Sequence, residues 1–165
     1  MHKLREWAKE ILTQEELKKL FIAKNELKMT AWHMATENGQ IAVLHKLWDW
    51  AKEVLTQEQL KHMFITKDKF QSTAWHMAAD NGQIEVLHKL WEWAKEVLTQ
   101  DELKHVFIAK DEFQRAAWHM AAEKGQITVL HKLWEWAEKV LTQEDLINML
   151  LAKDRDERTT WHMTA

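Results

Sequence analysis

Histidine is the residue type of this chain best suited to chemistry, with ten copies that fall into columns. His33, His76, His119 and His162 recur every 43 residues, as do His45, His88 and His131, and also His62 and His105. Imidazole binds zinc and moves protons near neutral pH, so a metal centre is the first reading to weigh. The spacing speaks against it. Equivalent residues of stacked units lie about 8–10 Å apart, the usual distance between packed helices, whereas zinc holds its nitrogen ligands at about 2.1 Å. No two histidines stand at i, i+4 with a further ligand nearby. The columns are read as structural, and neither a metal nor a cofactor is expected.

Carboxylates fare the same way. Glu37, Asp80 and Glu123 share one repeated position, and Glu53 and Glu96 share another. Catalysis needs one asymmetric constellation whose pKa values are pushed apart, and carboxylates that follow the period read as solvated faces. The chain has no glycine-rich phosphate loop, no nucleophile elbow and no cysteine, so no enzymatic activity is expected. Without cysteine no disulfide or thiolate site can form.

A net charge of −3 and a pI near 6.4 leave no clustered basic face for nucleic acid. No apolar run approaches the roughly 18 residues of a membrane span, and the N-terminal MHKLREWAKE has no hydrophobic leader core. A soluble, cytoplasmic setting is expected, with neither nucleic acid nor membrane as a partner.

The elements that carry these side chains repeat. Trp32, Trp75, Trp118 and Trp161 stand 43 apart, as do Gly39, Gly82 and Gly125, and Leu44, Leu87 and Leu130. A fixed period of this size marks a stacked array. Residues 44–86 and 87–129 differ at 11 of 43 positions, which fits recent duplication or a consensus-style design. The expected division is one array: a partial unit at 1–24, full units at 25–67, 68–110 and 111–153, and a partial unit at 154–165. Hydrophobic residues make up 46% of the chain, enough for a continuous core. Proline is absent and glycine occurs three times, so almost all of the chain can be helical.

Each unit reads as three helices, covering 74–81, 84–97 and a stretch from Thr99 through Phe107 in one example. Thr73 is placed to cap the first helix and Gly82 to close it in the left-handed conformation. Ile84, Leu87, Leu90, Trp91, Ala94 and Val97 keep the helical spacing of three and four. Thr13 with Glu16, Thr56 with Gln59 and Thr99 with Glu102 match a capping box, which Thr142 with Asp145 weakens. Trp91 and Trp93 point about 200° apart around a helix, so the second helix must be covered on two sides. Arg5 stands at the position of Trp48, Trp91 and Trp134. Because a polar end face keeps an array soluble, the Trp48 column is expected to face the preceding unit.

The segment TAWHMAADNGQIEVL, residues 73–87, resembles the ankyrin repeat. That family's pattern is T-P-L-H-x-A-A-x-x-G-H-x-x-V-V, followed by a Leu pair and a Gly-Ala helix end. Thr73, His76, Ala78, Ala79, Gly82, Val86 and Leu90 match position by position. Units at Thr30 and Thr160 match in part, and Ala116 replaces Thr in the third. The resemblance implies an all-α solenoid of stacked units serving as a scaffold for protein–protein interaction. It also implies that the His76 column ties its turn to the neighbouring unit. Ala74, Trp75 and Ala94 depart from the family's Pro, Leu and helix-ending Gly, so the second helix runs on to about Leu98. The T-Q-x-x-L helix then supplies the extra length. Phe70-Gln71 and Phe113-Gln114 replace the family's Asp-Gly hairpin tip. Without that glycine a tight turn is harder to form, so the finger hairpins are expected to be reduced or absent.

Candidate partner-binding residues follow. Met34, Met77, Met120 and Met163 each come after the motif His, at a position the ankyrin family varies. Asp80, Asn81, Glu123 and Lys124 share that face by resemblance, and Phe70 and Phe113 stand at the fingertips. Methionine suits adaptable contact surfaces, and it equally fills gaps between helices. The partner is expected to be a protein. Two other readings stand beside this one. The chain can be a designed or truncated array with no evolved partner, which the likeness of its units allows. Because it opens on a second helix and closes on a first, it is expected to be a monomer or to stack weakly head to tail.

Overall fold

Residues 1–164 of the chain are described in a computed structural model. Among them are twelve helices and no strand, so the fold is all-α. The helices are α1 (His2–Ile11), α2 (Gln14–Ile22), α3 (Ala31–Glu37), α4 (Ile41–Val54), α5 (Gln57–Ile65) and α6 (Ala74–Asp80). They continue as α7 (Ile84–Val97), α8 (Gln100–Ile108), α9 (Ala117–Glu123), α10 (Ile127–Val140), α11 (Gln143–Leu151) and α12 (Thr160–Thr164). None is long and apolar enough to cross a membrane.

Local chemistry fixes the helix ends. Helices α2, α5, α8 and α11 all begin with a capping box, which satisfies two otherwise orphaned amides. The box that Asp145 was expected to weaken forms as well. Its carboxylate accepts from the Thr142 amide at 3.1 Å, and Thr142 Oγ1 accepts from the Asp145 amide at 3.1 Å. Gly82 ends α6 at φ +64°, where a Cβ would meet Gln126 Oε1 at 2.4 Å. The positive φ favours glycine, and any side chain there would have to displace the Gln126 amide.

Helices α3, α6, α9 and α12 pack one on the next, and each of the first three also packs on the helix that follows it in the chain. Behind them, α2, α5 and α8 pack on α4, α7 and α10. Most of the buried apolar side chains form one cluster from Leu17 to Met149, with Met77 and Met120 outside it.

Tryptophan couples these layers, and the direction is the reverse of the one expected from Arg5. Trp48 meets Trp32 at 6.1 Å and Phe64 at 5.7 Å, on the helices flanking its own in sequence. Trp93 reaches back to stack on Trp48 at 5.6 Å with a 20° interplanar angle. Trp136 does the same to Trp91 at 5.2 Å and 15°, and Trp50 reaches back to Phe21 at 5.2 Å. The column that faces backward is therefore Trp50, Trp93 and Trp136, not Trp48, Trp91 and Trp134. Arg5 is polar for another reason: it pairs with Glu53 on α4, as Lys9 does at 2.6 Å. These cations hold the Glu53 carboxyl down at about 2.

The connections between units are tight turns. Lys28, Gln71, Gln114 and Glu157 occupy the left-handed region at φ 58°, 62°, 60° and 62°. An aspartate compensates for the missing glycine. Asp68 Oδ1 accepts from the Phe70 and Ser72 amides, both at 2.8 Å. Asp111 does the same for Phe113 at 2.9 Å and Arg115 at 2.8 Å, and Asp154 for Asp156 and Arg158, both at 2.9 Å. This is the side-chain mimic of a backbone turn that Asp favours. Single hydrogen bonds link turn to turn, from Lys69 N to Leu27 O at 2.8 Å and from Glu112 N to Phe70 O at 3.0 Å. The left-handed conformation still costs an L-residue about 1–2 kcal/mol. Gln114→Gly is expected to raise stability by about 0.5 kcal/mol, since glycine's greater unfolded-state entropy returns part of the gain. A denaturant midpoint that falls in this variant would show the turn to be unstrained.

Candidate binding groove

A groove of about 280 Å³ lies between the connecting turns and the helices α6 and α9. Phe70 and Phe113 stand at its rim, 45% and 42% exposed. Met77 and Met120 are buried beneath it, one on α6 and one on α9. With Asp80 and Asn81 at the end of α6, six of the residues chosen from the sequence line one surface. Met34, 46% exposed on α3, and the half-buried Met163 on α12 lie outside it. So do Glu123 and Lys124, both exposed at the end of α9.

Sequence reasoning missed the acidic wall. Glu37, Asp68 and Asp111 line the groove together with Asp80, against the single guanidinium of Arg115. The signal was present as a Lys-Asp pair repeated before each of three turns, at 67–68, 110–111 and 153–154.

Arg115 is clamped. Its Nη2 and Nε donate to Asp111 Oδ2 at 2.9 and 3.1 Å, and Nη1 donates to Glu123 Oε2 at 2.9 Å. The guanidinium lies over the Phe113 ring, 5.1 Å from its centroid. Such a planar fork across two carboxylates, with a face on an aromatic ring, uses every recognition element arginine has. Arg158 makes the same bonds to Asp154 Oδ2, at 2.8 and 3.0 Å, and reaches back to Glu123 at 3.3 Å.

The motif histidines are occupied structurally. His76 Nδ1 accepts from the Thr73 amide at 3.2 Å, so the proton sits on Nε2, which donates to Ala109 O at 2.9 Å. His33 and His119 repeat the arrangement on Thr66 O at 2.9 Å and Ala152 O at 3.0 Å. Each ring ties the start of one helix to the chain just before the next turn. Burial pushes all three rings toward the neutral form, His76 to about 4. Among the described residues no group of three or more His, Cys, Asp or Glu is arranged to hold a metal ion.

No family model and no curated protein matches this chain. Among solved structures, a chain in the crystal structure of the yeast ribosomal protein Rps3 in complex with its chaperone Yar1 is similar to it. The likeness has a TM-score of 0.64 over 93% of this chain and 85% of that one, at 19% identity. Similarity at that identity is a likeness of fold.

Proposed function

We propose that this chain is a solenoid of ankyrin-like units, about three helices each, that serves as a scaffold for protein–protein interaction and carries out no catalysis. Its units are those at 25–67, 68–110 and 111–153, with partial units at 1–24 and 154–165. The observation that carries the reading is the groove, where exposed Phe70 and Phe113 flank a thioether floor. Aromatic rims give contact area at low entropic cost, and methionine adapts to the shape it meets. The groove also crosses from one repeat to the next, which suits a partner segment laid along the array. A chain of like fold occurs in a complex of a ribosomal protein with its chaperone, a protein–protein assembly.

Peptides selected on this chain from a random library test the reading. Their affinity is expected to fall at least about tenfold in the Phe70→Ala, Phe113→Ala double variant, as for anchors at the centre of an interface. Its stability is expected to fall by about 1–3 kcal/mol, because each ring is roughly half buried and Phe113 also carries the Arg115 guanidinium, so affinities are compared where both variants are fully folded. Binders that ignore the double substitution, or a selection that returns none, would sink the groove reading and favour an array without a partner.

A further inference from the structure

The clamp around Arg115 has an unfilled counterpart one unit earlier. Moving back by the 43-residue period, Asp111, Phe113 and Glu123 become Asp68, Phe70 and Asp80, and all three line the groove. The arginine becomes Ser72, a neutral side chain too short to bridge two carboxylates. The other turns differ from it at other positions. The last has Arg158 on Asp154 but Asp156 in place of the ring. In the first, Asn25 and Met29 replace carboxylate and arginine together. Only the second turn keeps both carboxylates and the ring while lacking the guanidinium.

The oxygen left over is specific. Asp68 is 5% exposed, and its Oδ1 is taken by two turn amides at 2.8 Å. Its Oδ2, the oxygen that receives arginine in the next two turns, accepts no hydrogen bond from any described residue. Asp80 makes no ion pair among the described residues either, whereas Glu123 in its place holds both Arg115 and Arg158. Both carboxylates line the groove with no cation of the described residues on them, so a cation entering it can pair with them. Arg115 cannot serve it, because its own donors are engaged by Asp111 and Glu123.

We propose that Asp68, Asp80 and Phe70 form a binding site for the guanidinium of an arginine on a partner protein, which takes the place that Arg115 fills one unit later. The inference rests on the groove being a protein-binding surface. Arginine is favoured over lysine by the internal template, which spends three nitrogens on two carboxylates and a flat face on a ring. An ammonium offers a point charge and no such face. The four carboxylates lining the groove draw cations toward it.

N-acetyl-arginine methylamide, titrated at millimolar concentration into the isotopically labelled chain, probes the site directly by NMR. The amide signals of Phe70 and Ser72, which bond to Asp68, are expected to shift, and the lysine analogue to shift them far less. Ser72→Arg supplies the guanidinium from the chain itself and is expected to abolish the response while raising the melting temperature. Asp68→Asn, which keeps an oxygen for the two turn amides, is expected to abolish it without that rise. Equal shifts from the arginine and lysine probes, or a Ser72→Arg chain that still responds, overturn the site. Peptides selected on the groove separate this from the broader reading. An arginine in them should be worth about tenfold or more in affinity, the value of a charge-assisted pair. Peptides that depend on Phe70 and Phe113 but on no arginine leave the groove standing and overturn the arginine site. The absence of any groove binding overturns both.

Discussion

Truncating Trp93 to alanine is expected to lower the free energy of unfolding by about 3–5 kcal/mol. The same truncation of Trp7 is expected to change it by no more than about 0.5 kcal/mol. The two residues occupy one repeated position, so the contrast isolates what lies in front of them. Trp93 is 5% exposed. It stacks on Trp48 and packs against Trp32 at 5.7 Å and edge-on against His45 at 5.0 Å. All three partners precede its own helix α7 and the helix α6 before it, so the cavity opens between units. Trp7, on α1, is 57% exposed. Trp93 is also the cleaner choice than Trp48 or Trp50, each of which buries an indole N–H without an acceptor. Truncating those would remove an unpaired donor along with the packing. Urea titrations of both variants decide the matter. Comparable losses at Trp7 and Trp93 would refute the assignment of this column to the contact between units.

In a quasi-one-dimensional stack, stability is a sum of unit terms and nearest-neighbour terms. Trp93 sits in a neighbour term. Its loss should therefore reduce cooperativity as well as stability, so that residues before and after α6 unfold in separable steps with a lower m-value. Trp91 meets Trp75 and Phe107 beside it in the chain as well as Trp136 further on. Its truncation would weaken both kinds of term together.

The period, the helices and their caps were legible because each rests on local chemistry repeated in the same register. Thr99 with Glu102, and Gly82 after α6, say where helices begin and end without reference to anything distant. The direction of stacking was not legible. Two indoles two residues apart must face opposite sides, but the spacing leaves open which side meets the earlier unit. Arg5 then pointed the wrong way, because its polarity answers to Glu53, 48 residues on. The methionines were legible as a column, yet burial of Met77 and Met120 beneath exposed Phe70 and Phe113 depends on how the turns fold over them. The acidic wall was lost for a related reason. A repeated aspartate in a connection reads as solvent-facing, whereas Asp68 and Asp111 are buried by the turns they hold together. The empty counterpart of the Arg115 clamp became visible only once the filled copy showed what belonged there.

Stability is expected to fall as pH drops from about 6.5 toward about 4, a window whose upper part lies above the range in which the paired carboxylates titrate. An imidazole in the unfolded chain titrates near 6.5, while His76 in the folded chain is pushed down to about 4 by burial, against its hydrogen bond to Ala109 O. Between those values the unfolded chain binds a proton that the folded chain does not, so the free energy of unfolding rises with pH there. The contribution is whole above the unfolded value and is lost on acidification through the window. At 1.36 kcal/mol per unit, His76 alone accounts for about 3 kcal/mol by the bottom of it. His33 and His119 are lowered by burial too and add in the same direction. Carboxylates follow further down: Glu53, hydrogen-bonded by Arg5, and Asp145, hydrogen-bonded by Lys104, are both held at about 2. Their stabilisation goes only as pH falls through their own lower window. Urea midpoints measured at about pH 7 and about pH 5 therefore report mainly the buried histidines. His76→Gln should begin less stable and show a shallower decline between those two points. An unchanged decline in that variant, or an NMR titration that finds His76 protonated by about pH 6, would show that the ring is not held neutral by the fold.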